Sequence, residues 1–187
     1  VMVEAAAKDD VEIYGEYVGR IRAQQFVEVR ARVEGYLEQM LFAEGTYVNK
    51  NQVLFVINQE QYRAKADKAR AQLKKDEAQA LKAQRDFERI KPLYAQNAAS
   101  QLDLDNAEAA YESAVATVAM SEADLAQAEL ELGYTLVRSP LSGHISERNV
   151  DLGTLVGPGG KSLLATIVKS DTVLVDFNMT ALDYLKS

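Results

Sequence analysis

The longest regular pattern of apolar positions in the chain lies between residues 62 and 132. In its first stretch Tyr62, Ala66, Ala69, Leu73, Asp76, Ala80, Ala83, Phe87, Ile90 and Tyr94 alternate spacings of four and three. In its second, Leu104, Ala107, Tyr111, Ala114, Val118, Ser121, Leu125, Ala128 and Leu132 do the same. A 3.5-residue period held this long predicts two helices wound around each other with a left-handed supercoil. Alanine is frequent on the seam and lets the helices approach closely. At ~1.5 Å per residue the pair should be about 50 Å long. The turn falls around Gln96-Asn97-Ala98-Ala99. Ser100, with Asp103 three residues on, is the expected N-cap of the second helix. Asn58 with Gln61 should open the first helix in the same way, and Gly133 should close the second as a C′ glycine. Pro92 removes a backbone donor and should kink or loosen the last turns of the first helix.

Outside this stretch the period changes to that of strands. Val11, Ile13, Tyr17, Val18, Ile21, Phe26, Val27 and Val29 mark a β-like run to Val33, interrupted at Gly15 and Gly19. Val53–Ile57 is a short apolar run of buried-strand type. Tyr134–Arg138, Gly143–Val150, Leu163–Val168 and Thr172–Phe177 follow as further strands. Thr172–Phe177 has no later partner, and the Val11–Val18 region is its expected mate. Residues 1–10 read as a tail or the remnant of a processed leader. Two stretches repeat one half-motif: Gly35-Tyr-Leu37 with Gly45-Thr46-Tyr47-Val48, and Gly143-His-Ile145 with Gly153-Thr154-Leu155-Val156. A β module of two copies is therefore split by the helices, and its function should lie in the insert.

Composition narrows the function classes. The 187 residues carry 28 acidic and 21 basic side chains, a formal charge of −7. A chain that neutralises nucleic-acid phosphates needs a basic stripe, and here bases are mixed with acids. With no cysteine there is no disulfide, thiolate nucleophile, zinc-thiolate site or lipid-attachment cysteine. No apolar run approaches the ~20 residues of a membrane-spanning helix, and no signal-peptide layout opens the chain. If the protein is exported, its targeting segment and membrane anchor lie outside this sequence.

Several constellations resemble chemistry and fail on detail. Gly157-Pro-Gly-Gly160-Lys161-Ser162 looks like the end of a phosphate loop, but Leu155 stands where a glycine is needed and a strand follows. His144 is the single histidine and reads as a strand residue. Met2, Met40, Met120 and Met179 are dispersed, which gives a copper site no support. Ser139 and Ser142 near His144 lack a Gly-x-Ser-x-Gly elbow. Carboxylates on the helices alternate with Lys and Arg, as on a solvated face. The reading is of no catalytic residue, no cofactor and no metal.

The split half-motifs with a helical hairpin between them resemble the periplasmic adaptor proteins, or membrane fusion proteins, of tripartite efflux pumps. Val29-Arg-Ala-Arg-Val-Glu-Gly35-Tyr, Ser139-Pro-Leu-Ser-Gly143-His-Ile and Leu152-Gly-Thr-Leu-Val156 running to Val175-Asp-Phe177 carry the likeness. The last looks most like adaptors serving resistance-nodulation-division (RND) transporters. The resemblance implies an α+β fold: a lipoyl-like β-sandwich (barrel-sandwich hybrid) split by a long antiparallel coiled-coil hairpin, plus a fragment of a second β-barrel domain. Its divisions would be 1–20 (tail and barrel strand), 21–58 (first half-motif), 59–133 (hairpin), 134–171 (second half-motif) and 172–187 (start of the truncated barrel). Arg89, Leu93 and Ser100 match the family's tip residues, which implies docking on an outer-membrane channel. From pattern alone Arg89 is a solvated helix residue, Leu93 a core residue and Ser100 a cap. The implied partners are an inner-membrane RND transporter, the outer-membrane channel and further copies of the chain in a ring, in the periplasm and anchored to the inner membrane. Adaptors of an ABC-type macrolide exporter or of type I secretion share the architecture. A lipoyl or biotinyl carrier would need a modifiable lysine at the point where the hairpin enters, and no Met-Lys-Met or Asp-Lys-Ala tip is present.

Overall fold

A computed structural model describes residues 16–180. Eight strands and two helices follow in the order β1 (Gly19–Arg30), β2 (Gly35–Met40), β3 (Tyr47–Val48), β4 (Val53–Ile57), α1 (Glu60–Ala95), α2 (Gln101–Tyr134), β5 (Leu136–Arg138), β6 (Gly143–Ile145), β7 (Leu155–Val156) and β8 (Leu163–Phe177). They form two four-stranded sheets, ordered β1-β8-β6-β3 and β5-β4-β2-β7. Every pairing is antiparallel. The sheets bury one shared core in which Leu37, Val48, Leu54, Phe55, Ile57, Ile145, Val156, Leu164 and Ile167 are almost fully covered.

Each sheet takes strands from both sides of the insert, so neither half closes a core alone. β2 pairs with β7, and β3 with β6. The repeated half-motif is visible in matched hydrogen bonds. Gly45 N donates to Ile145 O and Ile145 N to Thr46 O, at 3.1 and 3.0 Å; Gly153 N donates to Leu37 O and Leu37 N to Thr154 O, at 2.8 and 3.0 Å. The glycines keep one role in each copy. Gly45 and Gly153 hold φ of 72° and 80°, the left-handed region that favours glycine. Gly35 and Gly143 lie where a Cβ would come within 2.6 Å of Ile57 Cγ2 and 2.5 Å of Val168 O.

β1 and β8 are the longest strands and run on beyond the sandwich. Thr172–Phe177 was expected against Val11–Val18. Instead Gly19–Ala23 pair with Val173–Phe177, on the strand that continues into the core through Gln25↔Lys169. Residues 11–15 lie outside the described part, and Glu16–Val18 form no strand. A register irregularity between Ala23 and Gln25 separates the ribbon from the sandwich portion. A strand that bends at a bulge can serve two layers, so Leu163–Val168 and Thr172–Phe177, expected as two strands, are one.

Candidate functional site

The insert leaves the sandwich through a strand pair. β4 ends into α1, α2 returns into β5, and β4 and β5 pair at Val53↔Arg138, Phe55↔Val137 and Val56↔Leu136. Thr135, fully buried at that junction, accepts through its carbonyl from Ile57 N and through Oγ1 from Gln59 Nε2. Tyr62 Oη donates to Glu34 O, and Arg32 stacks over the Tyr134 ring at 5.1 Å. Both ends of the hairpin are thus tied to the β core.

The helix boundaries differ from two expectations. Gln59, not Asn58, is the N-cap of α1, and it makes no side-chain cap bond. Its amide is committed to Thr135, while Asn58 donates to Glu38 Oε1 and accepts from Glu60 N. Tying the helix to the sandwich replaced the capping box. Gly133 lies inside the last turn of α2, and Thr135 is the C-cap in right-handed helical geometry. Turning directly into β5 leaves no place for a left-handed residue. α1 continues through Pro92 to Ala95.

The helices run antiparallel, as Lys65–Glu131, Arg70–Glu129, Asp76–Ser121 and the stacked Phe87–Tyr111 rings show. Every expected seam position is buried or half-buried except Tyr94. The most covered are small or polar: Ala66, Asp76, Ala114, Ser121 and Ala128. Asp76 is fully bonded, accepting from Ser121 Oγ and, at 2.9 Å, from Gln72 Nε2. Ser121 first, then Gln72, hold its carboxyl below the usual carboxylate range against desolvation.

At the far end α1 stops at Gln96, and Asn97 takes φ 56° to reverse the chain. Leu93 O accepts from Gln96 N and Ala98 N, at 3.2 and 2.8 Å. Ser100 caps α2 in a reciprocal box: Asp103 N donates to Ser100 Oγ, while Ser100 N and Oγ both donate to Asp103 Oδ2. The Ser100 side chain and then its backbone N–H lower the Asp103 pKa.

Of the three candidate residues, Arg89 and Leu93 lie one turn apart on the same flank of α1, and Ser100 begins the helix opposite. The Arg89 side chain is 71% exposed and meets Asp86 Oδ1 at 3.3 Å. Leu93 is 40% exposed, so it is not a core residue. Tyr94, next in sequence, and Leu102, in the first turn of α2, are also exposed, at 38% and 67%, so the tip end of the hairpin carries apolar as well as charged surface. Leu102 was missed. Its signal was an apolar residue off the heptad, two positions before the seam residue Leu104. Among the described residues no cluster of His, Asp and Glu could hold a metal ion, and no helix is long and apolar enough to cross a membrane.

Comparison with known proteins gives the family. Residues 25–168 match the family described as RND MFP, barrel-sandwich hybrid domain, and the chain belongs to these RND membrane fusion proteins. The efflux pump periplasmic linker BepD of Brucella suis is 41% identical over 91% of the chain and 43% of its own length. The multidrug efflux pump subunit AcrA of Escherichia coli is 33% identical over the whole chain and 47% of its own length. The chain thus spans less than half the length of these curated relatives. A crystal structure of a MacA-MexA chimera containing the Pseudomonas aeruginosa MexA α-hairpin domain aligns with TM-score 0.64 at 26% identity, over 89% of this chain and 56% of that one.

Proposed function

We propose that this chain is the central part of a periplasmic adaptor that joins an inner-membrane, proton-driven drug exporter to an outer-membrane channel. The observation that carries the reading is the pairing of an RND-family sandwich with a rod whose two ends are bonded into it. A rod of 36 and 34 residues spans about 50 Å, and its 3.5-residue seam makes it a coiled coil. In this reading the sandwiches stand side by side in a ring in the periplasm, anchored to the inner membrane in the full-length protein. Residues 1–20 and 172–187 contribute to a second β-domain. The adaptor performs no catalysis; it aligns and seals the conduit.

The tip meets the channel through Arg89, Leu93 and Ser100. Arg89 presents a planar five-donor fork to carbonyls or carboxylates, Leu93 an apolar anchor, and Ser100 a hydroxyl held by its cap. Each such contact is small, and repetition around a ring makes the sum adequate. The test is drug export by the full-length protein. Arg89→Asp and Ser100→Arg are expected to abolish export at unchanged protein level and folding; wild-type resistance in both variants would remove the docking claim. Co-purification with an ATP-driven exporter in place of a proton-driven one would reassign the transporter and leave the tip untouched.

A further inference from the structure

The open edge of the sandwich holds a cluster of guanidinium groups that the adaptor function leaves unused. β1 and β5 are each the outer strand of their sheet. Between them, beside the turn from α2 into β5, lies a cavity of about 320 Å³. Arg30, Arg32 and Arg138 line it, with Tyr134 and Leu136 as apolar wall and Glu28 as its one acid. Three cations against one carboxylate is a local excess of positive charge in a chain whose formal charge is −7.

The contacts within the cavity do not use this excess up. Arg30 is engaged at all three nitrogens: Nε and Nη2 meet Glu28 Oε2 at 2.8 and 2.7 Å, and Nη1 donates to Ser162 Oγ at 2.8 Å. That pair spends the single acid. Arg138 gives Nη1 to the neutral carbonyl of Asn51 at 3.0 Å, and Arg32 lies over the Tyr134 ring at 5.1 Å. Neither makes an ion pair with any described residue. Both are nonetheless held in place. Tyr134 packs against the core, and Asn51 sits at φ 67° with its N–H donating to Ser139 O at 2.8 Å. Two oriented planar forks without a carboxylate of their own are a donor set that oxyanions match bidentately.

We propose that this cavity binds a phosphate group between Arg32 and Arg138, either as inorganic phosphate or as the phosphomonoester of a larger molecule. A phosphomonoester carries close to two negative charges at neutral pH and so balances both guanidinium groups, whereas a carboxylate balances one. The cavity is at the small end of ligand sites, which suits a phosphate with a compact headgroup against Tyr134 and Leu136. A charged residue on an outer strand also discourages pairing with another chain. That role needs only a charge in water, not two forks fixed by a ring and a carbonyl around one cavity. The site goes beyond the adaptor function proposed above and does not depend on it. Because Arg32 follows β1 and Arg138 ends β5, a bound phosphate ties the two open edges together at the foot of the rod.

The test follows hydrogen exchange in the full-length protein at residues 30–33 and 134–138. The probes are inorganic phosphate, methyl phosphate, and vesicles of phosphatidylcholine alone or mixed in equal parts with phosphatidic acid, all at one ionic strength. Slower exchange at both segments with the soluble phosphates is expected and supports a free phosphate or small phosphomonoester. The same protection from phosphatidic acid vesicles only supports a lipid headgroup as the source. Arg32→Gln and Arg138→Gln should each weaken binding of the protecting phosphate about tenfold, the low end for a charge-assisted hydrogen bond. Arg32→Lys should recover only part, since it keeps the charge and loses the fork. Arg148→Gln removes a cation paired with Glu44 and Asp151 elsewhere and should leave the affinity unchanged. An equal loss in Arg148→Gln, or equal protection by acetate, would reduce the effect to general charge and overturn the proposal. No protection of the wild-type protein by any of the phosphates would overturn it whatever the variants do.

Discussion

The sandwich and the rod are stabilised in opposite ways. In the sandwich the largest fully covered side chains are Phe55, Leu37, Leu54, Ile57, Ile145, Leu164 and Ile167. In the rod the most covered residues are Ala66, Ala114 and Ala128, with Asp76 and Ser121 between them. The sandwich draws its stability from apolar area removed from water. The rod buries little per residue and relies on helix propensity, caps and a polar pair that matches at one alignment only. A shape held by a compact core resists global unfolding, while a long two-helix rod is specified turn by turn.

The contrast can be broken most severely from the sandwich side. Phe55→Ala removes a ring that sits edge-on to Phe42 at 5.1 Å between centroids. The expected loss is about 3–5 kcal/mol, read as a lowered denaturation midpoint. A cost near that of an exposed alanine substitution would show that the core is loosely packed. Gly153→Ala comes next, at about 1–2 kcal/mol, because the new Cβ must sit at φ 80° although the space around it is open. Gly159→Ala, with open space and no such backbone constraint, should cost clearly less, and equal losses would remove the conformational explanation.

On the rod side the effects are smaller and of another kind. Ser100→Ala should cost about 1 kcal/mol through the lost cap, seen as faster hydrogen exchange at Gln101–Asp103 with the sandwich amides unchanged. Asp76 with Ser121 tests specification rather than stability. Replacing the pair by Leu and Ala should leave the melting temperature nearly unchanged but broaden the pattern of engineered cross-seam disulfides, since a buried polar pair fixes alignment. Because the folded carboxyl titrates below its unfolded value, its contribution is fully present above about pH 4. It is lost as pH falls through the lower folded pKa. Asp76→Asn should therefore differ from wild type by a constant amount at neutral pH, and the gap should close only in stronger acid.

How much of this was legible follows from the range of the interactions. The seam was readable because burial repeats every 3.5 residues, and eighteen of its nineteen named positions are covered in the structure. The cap at Ser100 was readable because it is a contact over three residues. The duplicated half-motif was readable through glycines whose backbone role is the same twice. What failed depended on distant partners. Gln59 displaced Asn58 because Thr135 waits for it across the junction. Gly133 was not a terminator because the chain enters β5 without reversing. The mate of Thr172–Phe177 was misplaced by a few residues because a bulge lets one strand run through both layers. At the tip, Arg89, Leu93 and Ser100 were named from resemblance, while Leu102, an apolar residue off the heptad and 67% exposed, was passed over although the pattern marked it.

The strand pair at the foot of the rod has one more consequence. Since β4 and β5 close the sandwich beneath the helices, adding or deleting a matched heptad from both arms leaves the base intact. Each such step changes the reach by about 10 Å. The distance this part can bridge is therefore adjustable in discrete increments, independently of the domain that holds it.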